Sequence, residues 1–241
     1  MIEKITSFLH TIAEELFPSS CCVCDAQLKE IEEIRYGICV LCCKGLVRLK
    51  EPLCEICGIP LSSEDGTCLS CRESASSLAG VSRLRSVFLY AGLGPEILHA
   101  YKGGGTKPLA RLWADACIFI LDQLWTADTT LVPVPSLPKN CRTRGFDQMH
   151  LLMKSLPECY QKRVNAKLLL RDPSSSQKTL NREERQTNLS GKIRFNTKYC
   201  LSGPVLLVDD ICTTGATLST CALVLRAAGA GNVSALTLFR D

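Results

Sequence analysis

No stretch of this sequence approaches the ~18 to 20 consecutive apolar residues that a membrane-spanning helix needs. The apolar run at Phe119 to Leu121 gives way at once to Asp122 and Gln123. Aromatic side chains are scarce, at 6% of 241 residues. In the most basic part of the chain they stand far apart, at Phe146, Tyr160 and Phe195, so no row of rings for stacking bases is written there. Histidine occurs three times, at His10, His99 and His150, without metal-ligand spacing, and these residues read as surface or packing positions. No Gly-x-x-x-x-Gly-Lys-Ser/Thr segment occurs, which leaves a P-loop nucleotidase unsupported. Residues 2 to 17 are apolar at 2, 5, 8, 9, 12 and 16 but carry Glu3, Glu14 and Glu15. They read as an amphipathic helix that packs on its neighbour, not as a secretory leader, and the polar face is not basic enough for a membrane surface.

Cysteine, in contrast, is abundant, with 16 residues. Half of them fall into Cys-x-x-Cys pairs: Cys21/Cys24, Cys39/Cys42, Cys54/Cys57 and Cys68/Cys71. Pairs at this spacing put two thiolates on one ion, so zinc is a better reading than disulfides, and four pairs make two four-cysteine sites. Sequential pairing closes the shortest loops. A cross-braced arrangement, first pair with third and second with fourth, stays open. Cys22 could stand in for Cys21, though Cys21 is favoured. A module so poor in apolar residues draws its folding free energy from the metal. Cys117, Cys141, Cys159, Cys200, Cys212 and Cys221 read as small buried hydrophobes. Cys212 differs in lying where a helix N-terminus would lower its pKa.

The formal net charge is only +4, yet residues 139 to 194 hold 13 Lys or Arg against 5 Asp or Glu. Such a stretch draws polyanions, either a diphosphate or single-stranded nucleic acid. A hydrophobic fraction of 46% in this length suffices for one α/β core and a small appended module.

The most informative segment runs from Val205 to Thr217. Val205-Leu206-Leu207-Val208 has the composition of a buried parallel strand, and Leu218, Ala222, Leu225 and Ala228 recur at helical spacing. Between them lie Asp209, Asp210, Thr213, Thr214, Gly215, Ala216 and Thr217. In an open α/β sheet a turn from strand to helix lies at the ligand-binding edge, and the free N–H groups of the first helical turn attract an anion. Gly215 permits close approach to a phosphate and the threonines add hydroxyl donors. Ionised Asp209 and Asp210 accept the vicinal hydroxyls of a ribose. The pattern reads as a ribose 5′-phosphate site.

Further signals surround it. Gly80 to Ala91 reads as a strand or hairpin, and Lys107 to Leu124 as a core helix with a stripe at Leu109, Leu112, Trp113, Ala116, Ile120 and Leu124. Leu131 to Pro135 reads as a short strand that must end in a loop. Arg142 and Arg144, before Gly145, offer guanidinium forks suited to diphosphate near a helix that starts around Phe146. Residues 172 to 188, Ser-rich and charged, read as a mobile loop whose Gln177, Asn181, Arg182, Arg185 and Asn188 could close over a ligand.

The segment from Val205 to Thr217 resembles the phosphoribosyl-diphosphate (PRPP) motif of type I phosphoribosyltransferases. The order of the four Cys pairs, Tyr101-Lys102-Gly103-Gly104, Val132-Pro133-Val134-Pro135, Arg142 to Gln148, Gln177 to Asn188 and the Asp-Asp motif is similar to the ComF family of competence-associated proteins. The likeness spans nearly the whole chain from about Cys21. Where that family usually shows Asn, this chain has Asp147, which brings a negative charge beside the arginines. The resemblance implies a type I phosphoribosyltransferase-like parallel sheet flanked by helices. An N-terminal helix over 1–19 and a double zinc ribbon over 20–75 would precede a transferase-like domain over 76–241. It assigns Pro135 and Ser136 to the diphosphate side and raises Lys102 to an anion-binding lysine.

The implied reaction is pentosyl transfer from PRPP, with magnesium, in which Asp209 and Asp210 hold the ribose while Lys102 and Arg144 stabilise the departing diphosphate. Arg142, Arg182 and Arg185 contribute to binding. The resemblance places the protein in the cytoplasm and implies, as the alternative to that leading reading, a non-catalytic adaptor in DNA uptake that binds single-stranded DNA and docks a helicase-like partner.

Overall fold

A computed structural model describes residues 19–62, 66–73, 78–103, 106–172 and 193–241. The expected N-terminal helix over 2 to 17 and the closing loop with Gln177, Asn181, Arg182, Arg185 and Asn188 lie outside these residues.

In chain order the described elements are α1 (Ile31–Tyr36), α2 (Val40–Lys44), β1 (Leu46–Arg48), α3 (Leu69–Arg72), β2 (Arg83–Gly92), α4 (Gly94–Lys102), α5 (Leu109–Leu124) and β3 (Thr130–Pro133). They continue with α6 (Pro138–Arg144), α7 (Gln148–Ser155), α8 (Glu158–Gln161), β4 (Leu169–Arg171), β5 (Ile193–Phe195), β6 (Val205–Cys212), α9 (Ala216–Ala227) and β7 (Val233–Arg240). The main sheet has the order β1-β2-β7-β6-β3. All its pairings are parallel except β1 on β2. It is a mixed, mostly parallel α/β sheet flanked by helices, the class expected from the sequence.

Strands covered on both faces must be apolar on both, and β6 and β7 are. Leu206, Val208, Leu236 and Leu238 enter one core with Trp113 of α5, Leu98 of α4 and Leu152 of α7. Val205, Leu207, Val233 and Ala235 enter the other with Leu218, Ala222 and Leu225 of α9. The period-2 alternation divides each strand between two cores. The α5 stripe is rotated slightly from the expected one, with Cys117 and Leu121 buried in place of Ala116 and Leu124.

Two consequences locate a site. After β3 the chain passes to α6 and α7, whose Met149 and Leu152 pack in the first core, whereas after β6 it passes to α9 in the second core. The carboxyl ends of β3 and β6 therefore flank a crevice at a topological switch point, where open α/β sheets bind ligands. The strand itself also runs further than the polar loop expected after Val208. Pairing with β7 carries β6 through Asp209↔Thr237, Ile211↔Phe239 and Cys212↔Arg240.

The cysteine-rich segment brackets the opposite edge. Cys21, Cys39 and Cys42 join the first core and Cys54 and Cys57 the second, while β1, between them in sequence, pairs along β2. The chain thus wraps over the β2 edge and covers backbone groups that would otherwise be unpaired. Asp115 of α5 receives Tyr36 Oη at 2.8 Å and Arg35 Nη2 at 3.2 Å on one face. Arg85 Nη1 of β2 donates to the carbonyls of Cys54 and Glu55 at 3.1 Å on the other.

Candidate functional site

At the crevice, β6 carries Asp209 and Asp210 at successive positions, whose side chains alternate between its two faces. Asp210 is buried, and its Oδ2 accepts hydrogen bonds from Gln148 Nε2 and from Lys102 Nζ, the latter at 3.0 Å. Gln148 Oε1 in turn accepts from Arg144 Nη1 at 2.5 Å, and the Gln148 carbonyl from Tyr101 Oη at 2.6 Å. The ends of α4, α6 and β6 and the start of α7 thereby meet in one polar network. Lys102 and Arg144, two of the residues singled out for diphosphate, belong to it.

The adjacent carboxylate behaves differently. Burial and the negative charge of Asp210 push Asp209 up to about 8, although the Asp210 N–H, Lys102 and Arg171 act in the other direction. Its Oδ1 accepts that N–H at 2.8 Å. At neutral pH Asp209 therefore favours its protonated form, which can donate to a sugar hydroxyl.

Beyond Cys212 the loop exposes Thr213, then turns at Gly215, which is left-handed with φ +81° and caps α9. An L side chain there would be strained. Ala216 N–H donates to Thr214 Oγ1 at 3.3 Å, and Thr217 lies in the first helical turn. Arg240, at the end of β7, fastens the loop from behind by donating to the carbonyls of Cys212 at 2.9 Å and Thr213 at 2.7 Å. Across the crevice, Arg171 Nη1 donates to the Pro135 carbonyl at 3.2 Å, and Ser136 Oγ reaches Asp147 Oδ1 at 3.4 Å. Arg142 is exposed in the last turn of α6, which ends at left-handed Gly145.

Asp147 itself is the N-cap of α7, accepting from the N–H groups of Met149 and His150. The helix begins after Asp147, not at Phe146, because this cap fixes its start. Three contributors escaped sequence reasoning. Gln148 carries a signal, four residues after Arg144 and next to the cap. Arg171 and Arg240 do not, because strand pairing alone brings them to the crevice.

The four sulfurs of Cys21, Cys24, Cys39 and Cys42 lie within 4.8 Å of one another, as do those of Cys54, Cys57, Cys68 and Cys71. The pairing is sequential, and Cys22 stands outside the first group. Four thiolates around zinc at ~2.3 Å would be separated by ~3.8 Å. Cys24 and Cys39 are 3.8 Å apart and Cys57 and Cys68 3.6 Å, so both sets fit the ion. N–H groups of Cys39 and of Cys68 and Cys57 aim at the sulfurs of Cys21 and Cys54. Burial opposes those thiolates, but the backbone donors prevail and bring Cys21 to about 7 and Cys54 to about 6. Bound zinc would cross-link two hairpin-like knuckles in each set.

Of the remaining cysteines, Cys117, Cys212 and Cys221 are buried as expected, whereas Cys141 is half-buried and Cys159 and Cys200 are exposed. Burial pushes the Cys212 thiol up, which overrides the lowering expected from the helix N-terminus.

The chain is a mostly parallel α/β protein with a polar crevice at its switch point and two four-cysteine groups, each fit for zinc, along its flanking edge. No protein-family model matches the chain. It is 27% identical over 236 residues to the competence protein ComFC of Bacillus subtilis, covering 92% of this chain and 95% of that protein. ComFC of Streptococcus pneumoniae is 28% identical over 84% of this chain and 87% of its own length. The DNA utilization protein YhgH of Escherichia coli K12 is 27% identical over 85% of this chain and 91% of its own length. The likeness to ComFC and YhgH runs along most of the chain's length.

Proposed function

We propose that the β3–β6 crevice binds a sugar 5-phosphate of the PRPP type and that the protein serves DNA uptake or the nucleotide metabolism tied to it. One observation supports the reading: consecutive carboxylates near the carboxyl end of β6 precede, by one short loop, a left-handed glycine that caps α9. The N–H groups of that first turn, with Thr213, Thr214 and Thr217, suit a 5′-phosphate, and the carboxylates suit the ring hydroxyls. Lys102 and Arg144 supply positive charge where a diphosphate, entering as its magnesium complex, would leave the anomeric carbon. Pro135, Ser136 and Arg142 line the same side, and Arg182 and Arg185 would come from the segment beyond the described residues. The names of the similar proteins, for competence and DNA utilization, support the cellular role.

A second reading, a single-stranded DNA adaptor, is favoured by one surface feature. A groove of about 430 Å³ is lined by His150, Lys154, Gln161, Asn165, Lys167 and Tyr199 and, among the described residues, by no acidic one. Its lysines suit phosphates and its ring suits a base. Both readings meet one assay. Magnesium–PRPP should raise the melting temperature of the protein, and Asp209→Asn with Asp210→Asn should abolish the rise. If PRPP gives no shift, or the double variant keeps it, the sugar-phosphate reading fails. If an oligodeoxythymidylate shifts the melting point in a salt-sensitive way while PRPP does not, the adaptor reading replaces it.

A further inference from the structure

Gln148 opens α7 and is one of the few polar side chains buried in the fold. Its carboxamide lies between opposite charges. Nε2 donates to Asp210 Oδ2, and Oε1 accepts from Arg144 Nη1 at 2.5 Å. A guanidinium only donates, and the Asp210 oxygen that meets Lys102 Nζ at 3.0 Å accepts, so the amide satisfies both neighbours in one orientation and in no other. The backbone is fixed as well. The Gln148 carbonyl takes Tyr101 Oη at 2.6 Å, and the Asp147 cap sets the start of the helix.

Arg144, half-buried at the end of α6, forms no ion pair among the described residues. Asp210 is paired with Lys102 instead, and the Asp147 carboxylate accepts the N–H groups of Met149 and His150. A guanidinium pressed against a carboxylate has much of its charge compensated before a ligand arrives. One held by a neutral carbonyl oxygen keeps its charge, and its remaining donors, for an incoming anion. We propose that Gln148 is a positioning residue for anion binding in the crevice: its amide keeps Arg144 apart from the Asp210 carboxylate and presents that guanidinium, oriented and uncompensated, to a diphosphate. The inference rests on the crevice being a sugar-phosphate site and goes beyond it by assigning a buried neutral group the control of its diphosphate side.

The test titrates the full-length, zinc-loaded protein by calorimetry with two separate probes, magnesium diphosphate and ribose 5-phosphate. A hydrogen bond to a charged group contributes roughly 10- to 150-fold to an equilibrium constant. Gln148→Met, similar in length, releases Arg144 and should weaken diphosphate by about tenfold or more while ribose 5-phosphate loses less. In an Arg144→Met background the same change should have little further effect, within about twofold, because the two residues act as one unit. Gln148→Glu adds a pH signature. A neutral carboxylic acid donates and accepts as the amide does, whereas an ionised one repels Asp210 and pairs with Arg144. Relative to wild type, diphosphate binding should therefore hold at acidic pH and fall as the introduced carboxyl ionises. Tyr101, Lys102, Arg144, Asp147, Asp209 and Asp210 also surround that position, so the wild-type profile over the same range is the reference. An unchanged diphosphate constant in folded Gln148→Met protein overturns the proposal, as do equal losses for both probes, additive methionine effects or a pH-independent ratio. Should the glutamate variant not fold, the methionine cycle still decides. Wild-type protein that binds neither probe removes the sugar-phosphate reading and the inference with it, whereas one that binds ribose 5-phosphate without diphosphate removes the inference alone.

Discussion

Asp209 sits at about 8 because the fold keeps it from water next to another carboxylate, and that displacement has a thermodynamic signature. Its ordinary value is 3.8, so between about pH 4 and pH 8 the unfolded chain loses the proton that the folded chain retains. The stability associated with the protonated form is complete below the lower value and is lost as pH rises through the upper one. Asp209→Asn carries the neutral state permanently. It should melt with the wild type near pH 4.5 and above it near pH 9, by on the order of 1–3 kcal/mol, or several degrees for a chain of this size. Melting curves across that range check it, and a gap that is constant with pH would show that Asp209 does not hold a shifted proton. Asp210, on the other face of the strand, has Lys102 Nζ 3.0 Å from its Oδ2.

At the scale of elements, the departure at Asp147 turns from a puzzle into a design feature. Among the described residues the carboxylate forms no ion pair with Arg144, whose guanidinium donates to Gln148. Instead it accepts two N–H groups that begin α7, as an Asn could equally well do. Asp147→Ala should cost about 1 kcal/mol, within a range of roughly 0.5–2, and Asp147→Asn only a few tenths. Since α7 positions Gln148, the alanine variant should also weaken PRPP-induced stabilisation while the asparagine variant should not, which denaturant melts with and without ligand will reveal. The strands, the long helix α5 and the phosphate turn were legible in the sequence because their signals are local: an apolar run, a 3.6-residue stripe, a glycine between threonines. The prolongation of β6 to Cys212, the anchoring role of Arg240 and the place of Arg171 were not. Each depends on which strand lies beside which, and register between distant segments leaves no periodic trace in either one.

For the molecule as a whole, the placement of the two four-cysteine groups matters more than their presence. One is built into the core that holds α4, α5 and α7, the other into the core that holds α9, and the chain between them closes the β2 edge. Structural zinc in small modules contributes apparent binding energies of about 10–16 kcal/mol, comparable to the entire net stability of a domain. Loss of metal from this edge should therefore loosen the sheet and not only the knuckles. Metal analysis should return about two zinc ions per chain. Cys39→Ser and Cys68→Ser should each remove one ion and lower the melting temperature by about 10 °C or more, at roughly 2–4 °C per kcal/mol. The pattern of damage is the sharper test. Hydrogen exchange should rise along residues 109–124 of α5 in Cys39→Ser, because Asp115 loses the bracing of Tyr36 and Arg35. In Cys68→Ser it should rise instead in residues 83–92 of β2, where Arg85 and Leu84 are tied to the second group through the carbonyls of Cys54 and Ile56. A protein that stays folded and fully protected after its metal is stripped would mean that the sheet carries itself, and that the thiolate clusters serve some purpose other than holding its edge.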